Sequence, residues 1–193
     1  FFIPDGDRRV DEIEEVYTDI VSDVTKTLSI PVAVKMHPYF TSVSGMARKL
    51  GKSGAKGLAL FNRFYEPDIE PESLEVVSNL QLSQPYDTRL PLRWIGLLYD
   101  QVPCDLAATS GVHGGVDAIK LVMAGASVVH VCSALLKYGI QHLGRVREEM
   151  LRWMEEHEYD SLREMQGSMS QRSCPDPGMF ERANYIKVLQ SYT

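Results

Sequence analysis

Residues 105–139 read DLAATSGVHGGVDAIKLVMAGASVVHVCSALLKYG. Two short apolar runs, CDLAATS and SVVHVCS, each end in small residues, and GGVDAIKLVMAGA between them carries apolar residues at helical spacing. The run-outs fall at Ser110-Gly111 and at Cys132-Ser133. Strands that are apolar throughout, rather than in alternation, are covered on both faces, which is the mark of a parallel sheet.

The same rhythm runs outward from this stretch. Upstream, RRVDEIEEVYTDIVSDVTKTL places Val10, Ile13, Val16, Tyr17, Ile20, Val21 and Val24 three and four apart, as one apolar helical stripe. SIPVAVKMHP reads as a buried strand, and TSVSGMARKLGKSGA as a short helix capped by Thr41 or Ser42. KGLALFN is a second strand. Residues 63–88, rich in proline and acids, form a long excursion with a hairpin expected at LEVVSNLQLS. RLPLRWIGLLYDQV returns to helix, HLGRVREEMLRWMEEHEYDSL reads as one long amphipathic helix, and PGMFERANYIKVLQ closes the chain as another.

The order is a helix followed by four β-α units. A doubly wound sheet and a (β/α)8 barrel both fit it. Eight such units need about 250 residues, so if the fold is a barrel, these 193 residues are one half of it. The expected architecture is α/β, with residues 1–170 as that half and residues 171–193 as a tail with a terminal helix. Phe1 in place of Met reads as a cut chain.

Composition narrows the function. A net charge of -6 leaves no basic face for nucleic acid, and no apolar run reaches the roughly 18 residues of a membrane span. The expectation is a cytoplasmic protein that binds neither nucleic acid nor membrane. Three cysteines without CxxC spacing match neither a disulfide framework nor a zinc site, and no metal is expected.

In barrels of this kind, the loops after the last two strands and the N-terminus of a short extra helix commonly form a phosphate site. Ser110-Gly111 and Cys132-Ser133 occupy those loops, and ALLKYG is the short helix. Small residues let backbone N–H groups approach a phosphate, and the helix dipole favours the anion. Ordinary turn chemistry accounts for the same small residues.

TSGVHGGVDAIKLVMAGASVVHVCSALLKYG, continued by HLGRVREEMLRWMEEHEYDSLREMQGSMSQ, resembles the C-terminal segment of class 1 dihydroorotate dehydrogenases, which are FMN-containing TIM barrels. IPVAVKMHPYF resembles the family's fifth strand and LALFN its sixth. The central loop and tail look more like a divergent dihydroorotate dehydrogenase-like branch. The resemblance implies the C-terminal half of a TIM barrel, carrying parallel strands five to eight, with the N-terminal half as its missing partner.

The implied activity is FMN-dependent hydride transfer between flavin and a small pyrimidine-like substrate, in pyrimidine biosynthesis. By position, Lys35 lies against the flavin, where a cation stabilises the reduced ring. Ser110, Gly111, Cys132 and Ser133 hold the FMN phosphate, and Asn62 offers an amide to substrate. The family more often has Gly where Ser110 and Cys132 stand; backbone donors tolerate both changes. A general base is not identified: the family carries Cys or Ser before Pro on the loop that FFIPDG matches, Phe and Ile cannot accept a proton, and nothing in the spacing supports Asp5.

Other readings stay open. Another phosphate-binding barrel, an isomerase or aldolase with Lys35 as a Schiff-base lysine, fits the residues, as does a flavin-binding barrel that has lost catalysis. The chain also admits a homodimer, with the CPDP turn at Cys174 as a lid or dimer contact. His37, His113 and Gly114 are weaker site candidates. Cys104, Met150, Leu151, Trp153 and Met154 read as packing, and Glu148, Glu149, Glu155 and Glu156 as a solvated helix face.

Overall fold

The computed structural model describes residues 6–64, 66–181 and 189–190. Helix α1 (Val10–Thr27) leads into strand β1 (Ala33–Met36), helix α2 (Val43–Lys52) and strand β2 (Gly57–Leu60). An excursion carries strands β3 (Pro67–Glu70) and β4 (Glu75–Ser78), then a 3-10 turn (Pro85–Thr88). Helix α3 (Arg89–Leu98), strand β5 (Asp105–Ala108), helix α4 (Gly115–Ala124) and strand β6 (Val128–Val129) complete the alternation. Helices α5 (Ser133–Tyr138), α6 (His142–Glu156), α7 (Leu162–Met165) and α8 (Gly178–Glu181) follow.

Four strands form one parallel sheet in the order β1-β2-β5-β6, each beside the strand of the preceding β-α unit. Spatial order equals chain order because every crossover carries a helix and returns in the same sense. The carboxyl ends of all four strands therefore lie on one side, where His37, Phe61, Thr109 and His130 run out into loops. Ser42 caps α2 by accepting from Gly45 N–H at 3.1 Å, as the sequence reading allowed.

The core is a continuous cluster under the sheet. Met46 and Leu50 from α2, Leu58 and Leu60 from β2, Ile95 and Leu98 from α3 and Leu121 from α4 are almost wholly excluded from solvent. A smaller cluster holds Ile119, Val122, Met154 and Met165. Replacing Leu50 with alanine, in a site walled by two helices and the sheet, is expected to cost about 2–5 kcal/mol in denaturant unfolding.

Several elements differ from the sequence reading. The α1 stripe is only partly covered: Val21 is buried, whereas Val10, Ile20 and Val24 are exposed, because among the described residues α1 packs chiefly on α2. The hairpin pairs Pro67–Glu70 with Glu75–Ser78, earlier than expected, and its apolar pair Ile69 and Val76 stays exposed. SVVHVCS yields only two ladder residues, Val128 and Val129. The helix expected at 89–102 ends at Leu98, where Tyr99 turns out of helical geometry. The long helix after His142 ends at Glu156, and a separate short helix begins after Ser161, which caps it. Of the predicted terminal helix, Gly178–Glu181 is helical, and residues 182–188 lie outside the described residues, as do residues 1–5 of FFIPDG.

Candidate functional site

At the carboxyl ends of β1, β2, β5 and β6 lies a cavity of about 400 Å3. Lys35, Asn62, Ser110, Gly111, Cys132 and Ser133 all line it. Six residues spread over a hundred positions of chain are thus brought to one wall, by the parallel sheet alone. A neighbouring cavity of about 680 Å3 shares Asn62, Arg63, Thr109 and Ser110 with it and is otherwise lined by Tyr39, Phe64, Tyr86 and Arg89 among others. Both lie within or near the roughly 300–1,000 Å3 usual for small-molecule sites.

Each side chain is delivered by its element. Lys35 is the third residue of β1, and its side chain is exposed on the cavity side. Asn62 follows β2, its N–H donating to Met36 O at 2.7 Å, which ties the β2 end to the β1 end. Thr109 is buried and its hydroxyl donates to Phe61 O, tying β5 to β2. Ser110 and Gly111 have φ of 79° and 76°, a left-handed pair that turns the chain sharply at the strand end. Gly111 has no room for a side chain: a Cβ there would lie 2.5 Å from Thr88 N and 2.9 Å from Gln84 O. Cys132 is exposed on the cavity wall, and Ser133 opens α5 directly.

The structure adds a residue that the sequence reading missed. Ser83, at the end of the excursion, is buried and joins the two expected loops. Its hydroxyl oxygen accepts from Gly111 N–H at 3.1 Å and lies 2.7 Å from Ser133 Oγ. Ser83 N–H donates to Ser133 Oγ at 3.1 Å. One buried hydroxyl therefore joins the Gly111 turn to Ser133 at the start of α5 and holds the two loops at a fixed spacing. A seryl residue in a proline-rich loop carries no periodic signal, so only the tertiary arrangement exposes it. Arg63 braces the same loop from the other side, donating to Gln81 O at 3.1 Å and facing Asp87 at 3.8 Å.

Three other residues have environments of their own. His113, a weaker site candidate, is half-buried, and its Nε2 lies 2.6 Å from Ser83 O. His37 is buried rather than a free strand-end group. Tyr39 N–H donates to its Nδ1 at 3.1 Å, and its Nε2 lies 3.2 Å from Tyr17 Oη. Burial holds its pKa below the ordinary value, and an accepting Nδ1 carries a lone pair. Glu149, assigned to a solvated face, instead accepts from Gly115 N–H at 2.8 Å and from Arg145. The Gly115 N–H bond, then Arg145, holds its carboxyl below the usual range, and Glu149 thereby satisfies a donor at the start of α4. A Cβ on Gly115 would lie 2.7 Å from Met150 N, so glycine is what permits α4 and α6 to meet there.

Met150 and Met154 pack as expected, while Leu151 is exposed. Trp153 stacks on His157 at 3.9 Å. Cys104 is half-buried and packs on the core. Among the described residues no group of three or more His, Cys, Asp or Glu is placed to hold a metal, and no helix is long and apolar enough to cross a membrane.

A cavity at the carboxyl ends of parallel strands, rimmed by small residues and one lysine, is the layout of ligand-binding α/β proteins. Comparison with known proteins narrows the class. A family model described as dihydroorotate dehydrogenase matches residues 3–154, and the chain belongs to the dihydroorotate dehydrogenase family. Dihydroorotate dehydrogenase B (NAD(+)), catalytic subunit, of Thermoplasma volcanium is 27% identical over 155 residues, which is 79% of this chain and 51% of that protein. The Cutibacterium acnes protein of the same name is 33% identical over 119 residues, 60% of this chain and 39% of that one. Dihydropyrimidine dehydrogenase (NADP(+)), chloroplastic, of Arabidopsis thaliana is 24% identical over 153 residues, 72% of this chain and 36% of that one. The chain spans about half the length, or less, of these curated relatives.

Proposed function

We propose that the protein containing this chain is an FMN-dependent oxidoreductase acting on a small pyrimidine-like substrate. The observation that carries the reading is the convergence of Lys35, Asn62, Ser110, Gly111, Cys132 and Ser133 on one cavity, together with family membership. Relatives whose names specify dihydroorotate and dihydropyrimidine dehydrogenases support a pyrimidine ring as substrate.

The residues present fit the cofactor. Ser83 clamps the Gly111 turn to Ser133, and both loops line the same cavity, where small residues and the first-turn N–H groups that open α5 suit a phosphate. These loops would hold the phosphate, with Ser83 fixing their spacing. Lys35, on β1 at the opposite edge of the sheet from β6, lines the same cavity and would set its ammonium against the ring system. FMN, when bound, supplies the hydride acceptor. Asn62 presents both a donor and an acceptor between the two cavities, which suits the imide edge of a pyrimidine.

We further propose that the sheet is one half of a (β/α)8 barrel. β1 and β6 each have one neighbour in the sheet, and an apolar groove lined by Val129, Val131, Val146 and Met150 runs beside β6. The uncovered apolar residues of α1 support the same reading.

The test is spectroscopic. Full-length protein, purified and supplied with FMN, is expected to retain a visible flavin absorption band after gel filtration, and that band is expected to bleach with a pyrimidine-type reductant. A preparation that remains colourless after FMN addition would end the flavin reading and leave the isomerase or aldolase alternative in its place.

A further inference from the structure

We infer that His113 is a positioning residue of the anion cradle, acting through Ser83. The inference rests on the flavin reading, because it is the FMN phosphate that the cradle would hold.

A carbonyl oxygen only accepts hydrogen bonds, so the 2.6 Å contact between His113 Nε2 and Ser83 O fixes Nε2 as a donor. The backbone of His113 is anchored as well. Asp117 Oδ2 accepts from His113 N–H at 2.9 Å and from Gly114 N–H at 3.0 Å. His142 Nε2 lies 2.7 Å from His113 O and must donate to it. Tyr138 packs edge-on against the His113 ring and lies 4.8 Å from the His142 ring.

Ser83 needs such an anchor. It lies near the end of a long excursion whose hairpin is exposed except at the half-buried Val77, and a segment with few buried contacts opens readily. Yet its hydroxyl must sit between Gly111 N–H and Ser133 Oγ for the cradle to keep its shape. Arg63 grips the excursion two residues earlier, at Gln81 O, and His113 grips Ser83 itself. A binding group is held to the needed tolerance only when a second set of contacts locks it. His113 supplies that lock from the loop that also carries Ser110 and Gly111, so the two sides of the cradle move together.

The experiment measures the Kd for FMN by quenching of flavin fluorescence on full-length protein freed of cofactor, with the melting temperature of each variant followed alongside. His113→Leu removes the donor, and Kd is expected to rise about tenfold, the cost of orphaning one buried carbonyl. His113→Gln keeps an N–H at the same reach and is expected to bind within about threefold of wild type, since the hydrogen bond is restored. In a Ser83→Ala background, His113→Leu is expected to add less than about twofold, because the hydroxyl it positions is gone.

Wild-type binding with equally tight His113→Leu overturns the role of His113 alone. So does a His113→Gln variant that melts like wild type but binds as poorly as the leucine variant. Full additivity of the two substitutions in the double variant has the same consequence, and it stays measurable if the leucine variant loses stability in the wild-type background. A wild-type protein that takes up no FMN overturns the flavin reading itself.

Discussion

Gly111→Ala is expected to be among the most damaging single-atom additions in this chain. The residue holds φ at 76°, a conformation that costs a non-glycine residue on the order of 1 kcal/mol or more. The added Cβ would also sit 2.5 Å from Thr88 N and 2.9 Å from Gln84 O. Both are backbone atoms at the end of the excursion, so relief requires moving the segment that carries Ser83. The two costs together suggest about 2–4 kcal/mol in denaturant unfolding, and FMN retention after gel filtration is expected to fall below detection. A variant that unfolds and binds FMN like wild type would mean that the turn is not rigid and that the cradle does not depend on it.

Dihydroorotate is expected to reduce the bound flavin of the full-length protein at least about a hundredfold more slowly than it would with a positioned proton acceptor in place. A positioned proton acceptor is worth roughly 10²–10⁴ in rate. On the resemblance above, FFIPDG stands where a proton-accepting Cys or Ser would be expected; Phe and Ile have no atom that can take a proton. Stopped-flow reduction of the bound flavin by dihydroorotate, in wild type and in an Ile3→Cys variant that puts a proton acceptor before Pro4, measures the difference directly. Fast reduction by dihydroorotate would place the acceptor elsewhere, and Asp5 would be the first residue to replace.

The parts of the molecule that were legible beforehand are those set by repetition. Continuous apolar runs at VAVKM, GLAL and DLAA gave the parallel strands, and the amphipathic spacing in GGVDAIKLVMAGA gave α4. Small residues at the ends of two successive strands located the cavity wall, because a parallel sheet obliges those ends to be neighbours. What stayed hidden depends on contacts between distant segments. Ser83 lies 28 positions from Gly111 and 50 from Ser133, in a stretch without periodicity. The pairings of His113 with Ser83 and of Glu149 with Gly115 join residues that each look solvent-bound in isolation. The α1 stripe shows the converse limit: helical spacing identified the helix correctly, but not how much of its apolar face any described element covers.

The monotonic strand order has a consequence for biosynthesis. As the polypeptide leaves the ribosome, β1 must wait for β2, β2 for β5, and β5 for β6, each new strand zipping onto the margin left by its predecessor. Assembly is thus vectorial, and at every stage one raw margin of unpaired amides faces solvent. A nascent chain stalled between β2 and β5 would display that margin while the long acidic excursion is being translated.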